Sequence, residues 1–255
     1  MMGRREFLVV GPQRSGTTIF GEILQRHEDI CLTLDGKLLY YLVVWLVKDP
    51  SARLGMHPRL DEIAHALSRR TVSGDAYSLT DKVIEAVQRF SWRATQDAES
   101  FECQVGQIWS DVYRDIAGGA LAVGDKYNEY MLYADDIHRL FPDMKYIVLN
   151  RERYQSARSA RRRFEARAWQ PKTQHQSEHK VDAWRQAFDA VPIPESNIHR
   201  VQFEDFCVDP HGTLNRACEF LGLPSSFAMH DFAREVLDPE RAWSQRARPV
   251  AAAAF

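Results

Sequence analysis

Along most of the chain, short all-apolar runs alternate with stretches whose apolar residues recur at helical spacing. Residues 7–10 (FLVV) are apolar at every position, as a strand buried on both faces should be, and they run into Gly11 and Pro12. A helical pattern follows from about residue 16 to 26. Residues 121–123 suggest a second strand, broken by Gly124. A helix over 133–141 is stopped by Pro142, and 145–149 (KYIVL) is a third strand. The pattern then predicts a long arginine-rich helix over about 154–168, a fourth strand over 198–203, and a helix over 210–221 ended by Gly222 and Pro224. Strands separated by helices predict an α/β fold of three layers around a largely parallel sheet.

The rhythm changes between residues 40 and 118. Segments 61–68, 79–92 and 107–116 read as helices with no strand between them, so a helical insertion covering one edge of the sheet is expected. In an α/β enzyme such an insertion commonly shapes an acceptor pocket. The most apolar run, 38–47, is about half the length a membrane-spanning helix needs and reads as a buried helix or an apolar pocket wall. At 255 residues the chain suits one domain, with 251–254 (AAAA) a frayed tail.

Composition adds limits. Apolar residues make up 45% and charged residues 27%, the balance of a globular protein, and a net charge of −2 argues against a duplex nucleic-acid binder. The four cysteines (Cys31, Cys103, Cys207, Cys218) have no metal-ligand spacing and read as free thiols. No leader pattern opens the chain, so a cytoplasmic location is expected, and the Ala- and Arg-rich style points to a bacterial source.

The strongest chemical signal is Gly11-Pro-Gln-Arg-Ser-Gly-Thr-Thr18 between the first strand and the first helix. A strand turning through glycines into a helix N-terminus leaves backbone N–H groups aimed at one point, where the helix dipole is positive, and phosphate or sulfate binds there. Thr17 and Thr18 add hydroxyls. The spacing is that of an ATP or GTP loop, but Thr17 stands where such a loop needs lysine, and the cation comes earlier, at Arg14. A single phosphate–sulfate bridge makes no demand for that lysine.

GPQRSGTT resembles the 5′-phosphosulfate loop of the sulfotransferase family, in particular of its carbohydrate, tyrosylprotein and bacterial branches. The resemblance implies a donor, 3′-phosphoadenosine 5′-phosphosulfate (PAPS), cradled by Arg14, Ser15, Gly16, Thr17 and Thr18, with Arg14 at the transferring group. Tyr146-Ile-Val-Leu-Asn-Arg151, followed eight residues later by Ser159, resembles the family's 3′-phosphate site. Arginine offers a two-pronged donor there and serine a neutral hydrogen bond. Arg153 replaces the usual proline. Most of the arginines from 151 to 167 read as a solvated helix face. The block 201–224 resembles the family's C-terminal strand–helix unit, with Phe206, Leu214, Cys218 and Leu221 facing inward.

Sulfuryl transfer, like phosphoryl transfer, is an in-line displacement that builds charge on the leaving oxygen, and fixed cations suffice without a metal. His175 and His179, four apart in a polar stretch, read as surface residues. By the resemblance Lys126, in Gly124-Asp-Lys126, stabilises the sulfuryl group in transit, although Tyr127-Asn128 follows it where the family has Ser/Thr-Pro or Asp-Pro. Asp35 falls where a tyrosylprotein-type enzyme has its catalytic glutamate, and Glu129 and His57 are the other candidates for general base. The expected activity is transfer from PAPS to a hydroxyl or amine of a small molecule or carbohydrate. The rival readings are a nucleotide kinase or NTPase with an altered loop, and a non-catalytic nucleotide-binding module.

Overall fold

The computed structural model describes residues 5–43, 98–153, 155, 156, 158, 159 and 174–237. Strands β1 (Arg5–Val10), β2 (Ile30–Leu34), β3 (Ala122–Lys126), β4 (Lys145–Asn150) and β5 (Ile198–Gln202) form one sheet in the order β2-β3-β1-β4-β5. Every pairing is parallel. The helices are α1 (Thr17–Leu24), α2 (Leu38–Tyr41), α3 (Ala98–Ala117), α4 (Ala134–Leu140), α5 (Gln174–Asp189), α6 (Phe203–Val208), α7 (Pro210–Phe220) and α8 (Phe227–Leu237), with short 3-10 helices at Asn128–Tyr133 and Glu195–Asn197.

The two-residue period of a strand divides the core into two layers. Phe7 and Val9 of β1, with Ile147 and Leu149 of β4, pack under α1, α6, α7 and α8 through Phe20, Ile23, Phe206, Leu214 and Met229. Leu8, Val10, Tyr146 and Val148 face the opposite way, against Trp109 and Tyr113 of α3, Tyr130 and Met131 of the first 3-10 helix, Ile137 of α4 and Trp184 of α5. Both faces of the sheet are therefore covered, which explains why β1 and β4 read as unbroken apolar runs. Phe206, Leu214, Cys218 and Leu221 are all buried, as the inward-facing reading requires. Asp209 caps α7 by accepting from Gly212 N at 2.9 Å, and Pro210 takes the first turn, where no N–H is needed.

The structure corrects several boundaries. β2 was not among the expected strands, though ICLTL is buried at all five positions. Gly124 does not break β3. The strand runs through it, because a Cβ there would strike the backbone carbonyl of Phe7 on the neighbouring strand. The helix expected over 133–141 is α4, preceded by a 3-10 turn. Phe203 begins α6 instead of ending β5, and α5 and α8 were not expected. Expected helices over 61–68 and 79–92, and most of that over 154–168, lie outside the described residues. The expected segment 107–116 falls within α3, which packs on β2 and β3. Among the described residues no helix is long and apolar enough to cross a membrane. Cys31 and Cys218 are buried and Cys103 and Cys207 exposed, and none of the four forms a disulfide among the described residues.

After β1 the chain moves toward β2, and after β4 it moves toward β5. The crevice between the carboxyl ends of β1 and β4 is thus the switch point where α/β sheets bind ligands. The loop 11–16 leaves one of these ends and Arg151 the other.

Candidate active site

Gly11 lies so close to β4 that an added Cβ would meet the Leu149 carbonyl. The loop turns through Ser15 N donating to Pro12 O at 3.1 Å, with Arg14 and Gly16 at φ 72 and 94. Gly16 ends the loop beneath the Phe203 ring, which leaves no space for a side chain. No side chain caps α1 at Gly16, so its first N–H groups stay open to an anion. Ser15 is fully buried, and its Oγ has no hydrogen-bond partner among the described residues. A buried orphan hydroxyl costs free energy unless a ligand satisfies it. Residues and loop therefore fit a bound phosphate or sulfate group.

Asn128 holds the loop from the far side. Its Nδ2 donates to Gly11 O at 2.6 Å and Pro12 O at 3.3 Å, and its amide meets Thr17 Oγ1 at 3.1–3.3 Å. Sequence reasoning registered this position only as a departure from the family pattern, whereas the structure makes it the brace of the loop.

The second half of the expected nucleotide site meets the first. Arg151 Nη1 donates to Arg14 O at 3.3 Å, and Arg14 Nε donates to Ser159 Oγ at 3.1 Å. The Arg151 guanidinium lies 4.7 Å from the centre of the Phe203 ring, a cation–π contact that orients its plane. Arg185 of α5 donates to the Arg151 carbonyl, and the Arg151 Nε is buried without a partner among the described residues. Arg153 is turned outward, paired with Asp182 at 2.9 Å and with Glu178 at 3.8 Å, as a solvated helix face would have it. His179 lies exposed on α5, which also carries His175.

A third cluster stands at the end of β3. Lys126 Nζ donates to Asp35 Oδ1 at 2.8 Å and to Thr18 Oγ1 at 3.1 Å. The Lys126 side chain is 2% exposed while that of Asp35 is 45% exposed, so a buried cation presents its partner carboxylate to solvent at the loop. Asp35 sits in the left-handed region at φ 58 and Lys37 at φ 61, an arrangement residues with a Cβ adopt only when held there. Glu129 lies on the 3-10 helix and has no hydrogen bond or ion pair to this cluster among the described residues. His57 falls outside the described residues. Of the expected site residues, the structure thus gathers Arg14, Ser15, Gly16, Thr17, Thr18, Asp35, Lys126, Arg151 and Ser159 around one loop. Sequence reasoning quoted Asp125 only as the partner of Lys126 in the pair that carries the resemblance and gave it no role of its own. It missed Phe203, which no local signal marked.

A parallel sheet whose first strand feeds an uncapped helix N-terminus, met by Arg151 from the neighbouring strand end, defines a three-layer α/β protein with a loop at its switch point that fits an anion. The chain belongs to the sulfotransferase family, whose model matches residues 6–227. Among solved structures it is similar to the sulfotransferase domain of the Synechococcus PCC 7002 olefin synthase (19% identity, 99% of this chain and 90% of that one, TM-score 0.56). It is likewise similar to the sulfotransferase domain from the curacin biosynthetic pathway (18% identity, 89% and 77% covered, TM-score 0.53). A sulfotransferase from Alicyclobacillus acidocaldarius matches at 15% identity with 98% and 99% covered and a TM-score of 0.52. At these identities the likeness is one of fold. No curated protein sequence matches the chain.

Proposed function

We propose that the protein is a cytoplasmic bacterial enzyme that transfers a sulfuryl group from PAPS to a hydroxyl or amine of a small-molecule or carbohydrate acceptor, without a metal. The observation that carries this reading is the meeting of Arg14, Arg151 and Ser159 beside an uncapped helix N-terminus with a buried, unpartnered Ser15 hydroxyl. When bound, the donor supplies a sulfuryl group whose bond to the 5′-phosphate oxygen breaks as its bond to the acceptor forms, releasing adenosine 3′,5′-bisphosphate.

The positions of these side chains support the following roles. Arg14, the N–H groups of residues 16–18 and the Ser15 and Thr17 hydroxyls hold the 5′-phosphosulfate, and Arg151 with Ser159 holds the 3′-phosphate. Lys126 supplies a fixed positive charge at Thr18, where a preorganised cation needs no reorganisation as charge develops. Asp35, with Oδ1 held by Lys126, receives the acceptor's proton on Oδ2. The kinase reading finds no support here, since Thr17 stands at the position where an ATP or GTP loop needs lysine.

Arg151→Ala tests the division of labour. It should weaken binding of adenosine 3′,5′-bisphosphate by about ten- to a hundredfold, the value of a charge-assisted hydrogen bond. Binding of 5′-AMP, which lacks the 3′-phosphate, should change little. Equal weakening of both ligands in a calorimetric titration would remove Arg151 from the 3′-phosphate site.

A further inference from the structure

We infer that Asp125 is a positioning residue that clasps the Asp35-Gly36-Lys37 turn and so keeps the Asp35 carboxylate at Lys126. The inference rests on the reading of Asp35 as the acceptor base.

Asp125 is fully buried at the end of β3. Its Oδ1 accepts from Thr33 Oγ1 at 2.7 Å and from Gly36 N at 3.0 Å. Its Oδ2 accepts from Tyr130 Oη at 2.6 Å and from Lys37 N at 2.8 Å. Two of these four donors are backbone amides of the turn itself. The turn needs such a hold, because Asp35 before Gly36 and Lys37 after it are both in the left-handed region. Gly36 permits the approach: a Cβ there would lie 3.3 Å from Asp125 Oδ1 and 2.9 Å from Thr33 Oγ1.

Neighbouring residues of a strand point to opposite faces, and here that sends two adjacent side chains to two sides of the sheet. Lys126 reaches α1 through Thr18, while Asp125 reaches the layer of Tyr113 and Tyr130. The turn wraps over the strand ends between them. Asp35 N donates to Lys126 O at 2.7 Å, its carboxylate meets Lys126 Nζ, and the next two amides bind Asp125. A buried carboxylate on one face thereby sets the place of a solvent-facing carboxylate on the other.

The groups facing Asp125 are Thr33 of β2, Tyr130 of the 3-10 helix, the turn amides, Asp35 itself, and Tyr113 of α3, whose Oη meets Thr33 Oγ1 at 2.6 Å. Burial pushes the Asp125 carboxyl up to about 6 against the donors that favour its ionised form. Between 3.8 and about 6 the folded chain holds a proton that the unfolded chain has released, so this group's contribution to stability falls as pH rises through that window. The ionised clasp at neutral pH is therefore kept at a cost to stability, as expected of a group retained for the site.

Asp125→Asn keeps the shape but cannot serve four donors, because its NH₂ must face one of the turn amides. The variant should fold, since it removes a buried charge. Hydrogen exchange at the Gly36 and Lys37 amides should rise by at least about tenfold, with the amides of β1, β3 and β4 unchanged. We expect kcat to fall by about ten- to a hundredfold, while the Kd for adenosine 3′,5′-bisphosphate stays within about threefold. The Asp35→Asn/Asp125→Asn double variant should be no more than about threefold slower than Asp35→Asn alone, since a positioning residue has nothing left to position. Gly36→Ala, which crowds the same two oxygens from the turn, should reproduce the pattern and serves if Asp125→Asn does not fold. A near-normal kcat in Asp125→Asn beside a slow Asp35→Asn, or losses that multiply in the double variant, would overturn the inference alone. Full turnover in Asp35→Asn would instead bring down the reading of Asp35 as base, and the inference with it.

Discussion

Lys126→Met should lower kcat by about a thousandfold or more, the loss of one preorganised charge at a reacting centre, and leave the Kd for adenosine 3′,5′-bisphosphate nearly unchanged. Two effects add. The ammonium that faces Thr18 and the loop disappears, and Asp35 loses the partner that fixes its Oδ1. Methionine replaces the buried stem with a flexible apolar chain of similar volume, so packing around β3 survives. Asp35 is half-exposed, and losing the pair strands no buried charge, which keeps the fold out of the result. The bisphosphate lacks the transferred group, so its affinity does not sense Lys126. Steady-state kinetics with titration of the product nucleotide separates these terms, and parallel losses in kcat and affinity would mean a disturbed loop instead of a missing charge.

Asp35→Asn is the complementary change. Asparagine keeps an oxygen for Lys126 and can occupy the same turn, since Asn tolerates the left-handed backbone at least as well as Asp. What it removes is the proton acceptor. The expected loss is about 10²–10⁴ in kcat, the usual worth of a general base, with nucleotide affinity intact. The two variants fail for different reasons, one by losing charge at the transferring group and the other by losing the destination of the acceptor's proton. Measurement of kcat for an acceptor whose nucleophile is already deprotonated distinguishes them: Asp35→Asn should recover much of its rate with it and Lys126→Met should not.

The residues proposed for the donor side were largely legible in the chain, because they follow strand ends, and strands buried on both faces announce themselves. FLVV before the loop and KYIVL before Arg151 carry that signal, whereas the strand order that makes them neighbours emerges only from the fold. The missed strand, ICLTL, is only five residues long and follows α1 after a short His-Glu-Asp turn, too little contrast for a periodic reading. Gly124 misled because glycine in a strand has two meanings, a break or a close approach, and only the position of Phe7 on the neighbouring strand decides between them. Asn128 and Asp125 act across 117 and 89 residues of sequence respectively, through hydrogen bonds that no local pattern reports. Asp35 was named as a candidate through family resemblance at a fixed distance from the loop, whereas its pairing with Lys126 emerges only from the fold.

Calorimetric titration with adenosine 3′,5′-bisphosphate, 5′-AMP and ATP·Mg²⁺ decides whether the loop and the Arg151 strand end together read a nucleotide bearing a 3′-phosphate. The bisphosphate should bind with a Kd of about micromolar or tighter, with marked weakening when the 3′-phosphate is absent. Clear binding of ATP·Mg²⁺ with none of the bisphosphate would contradict the 3′-phosphate reading and put the kinase reading in its place.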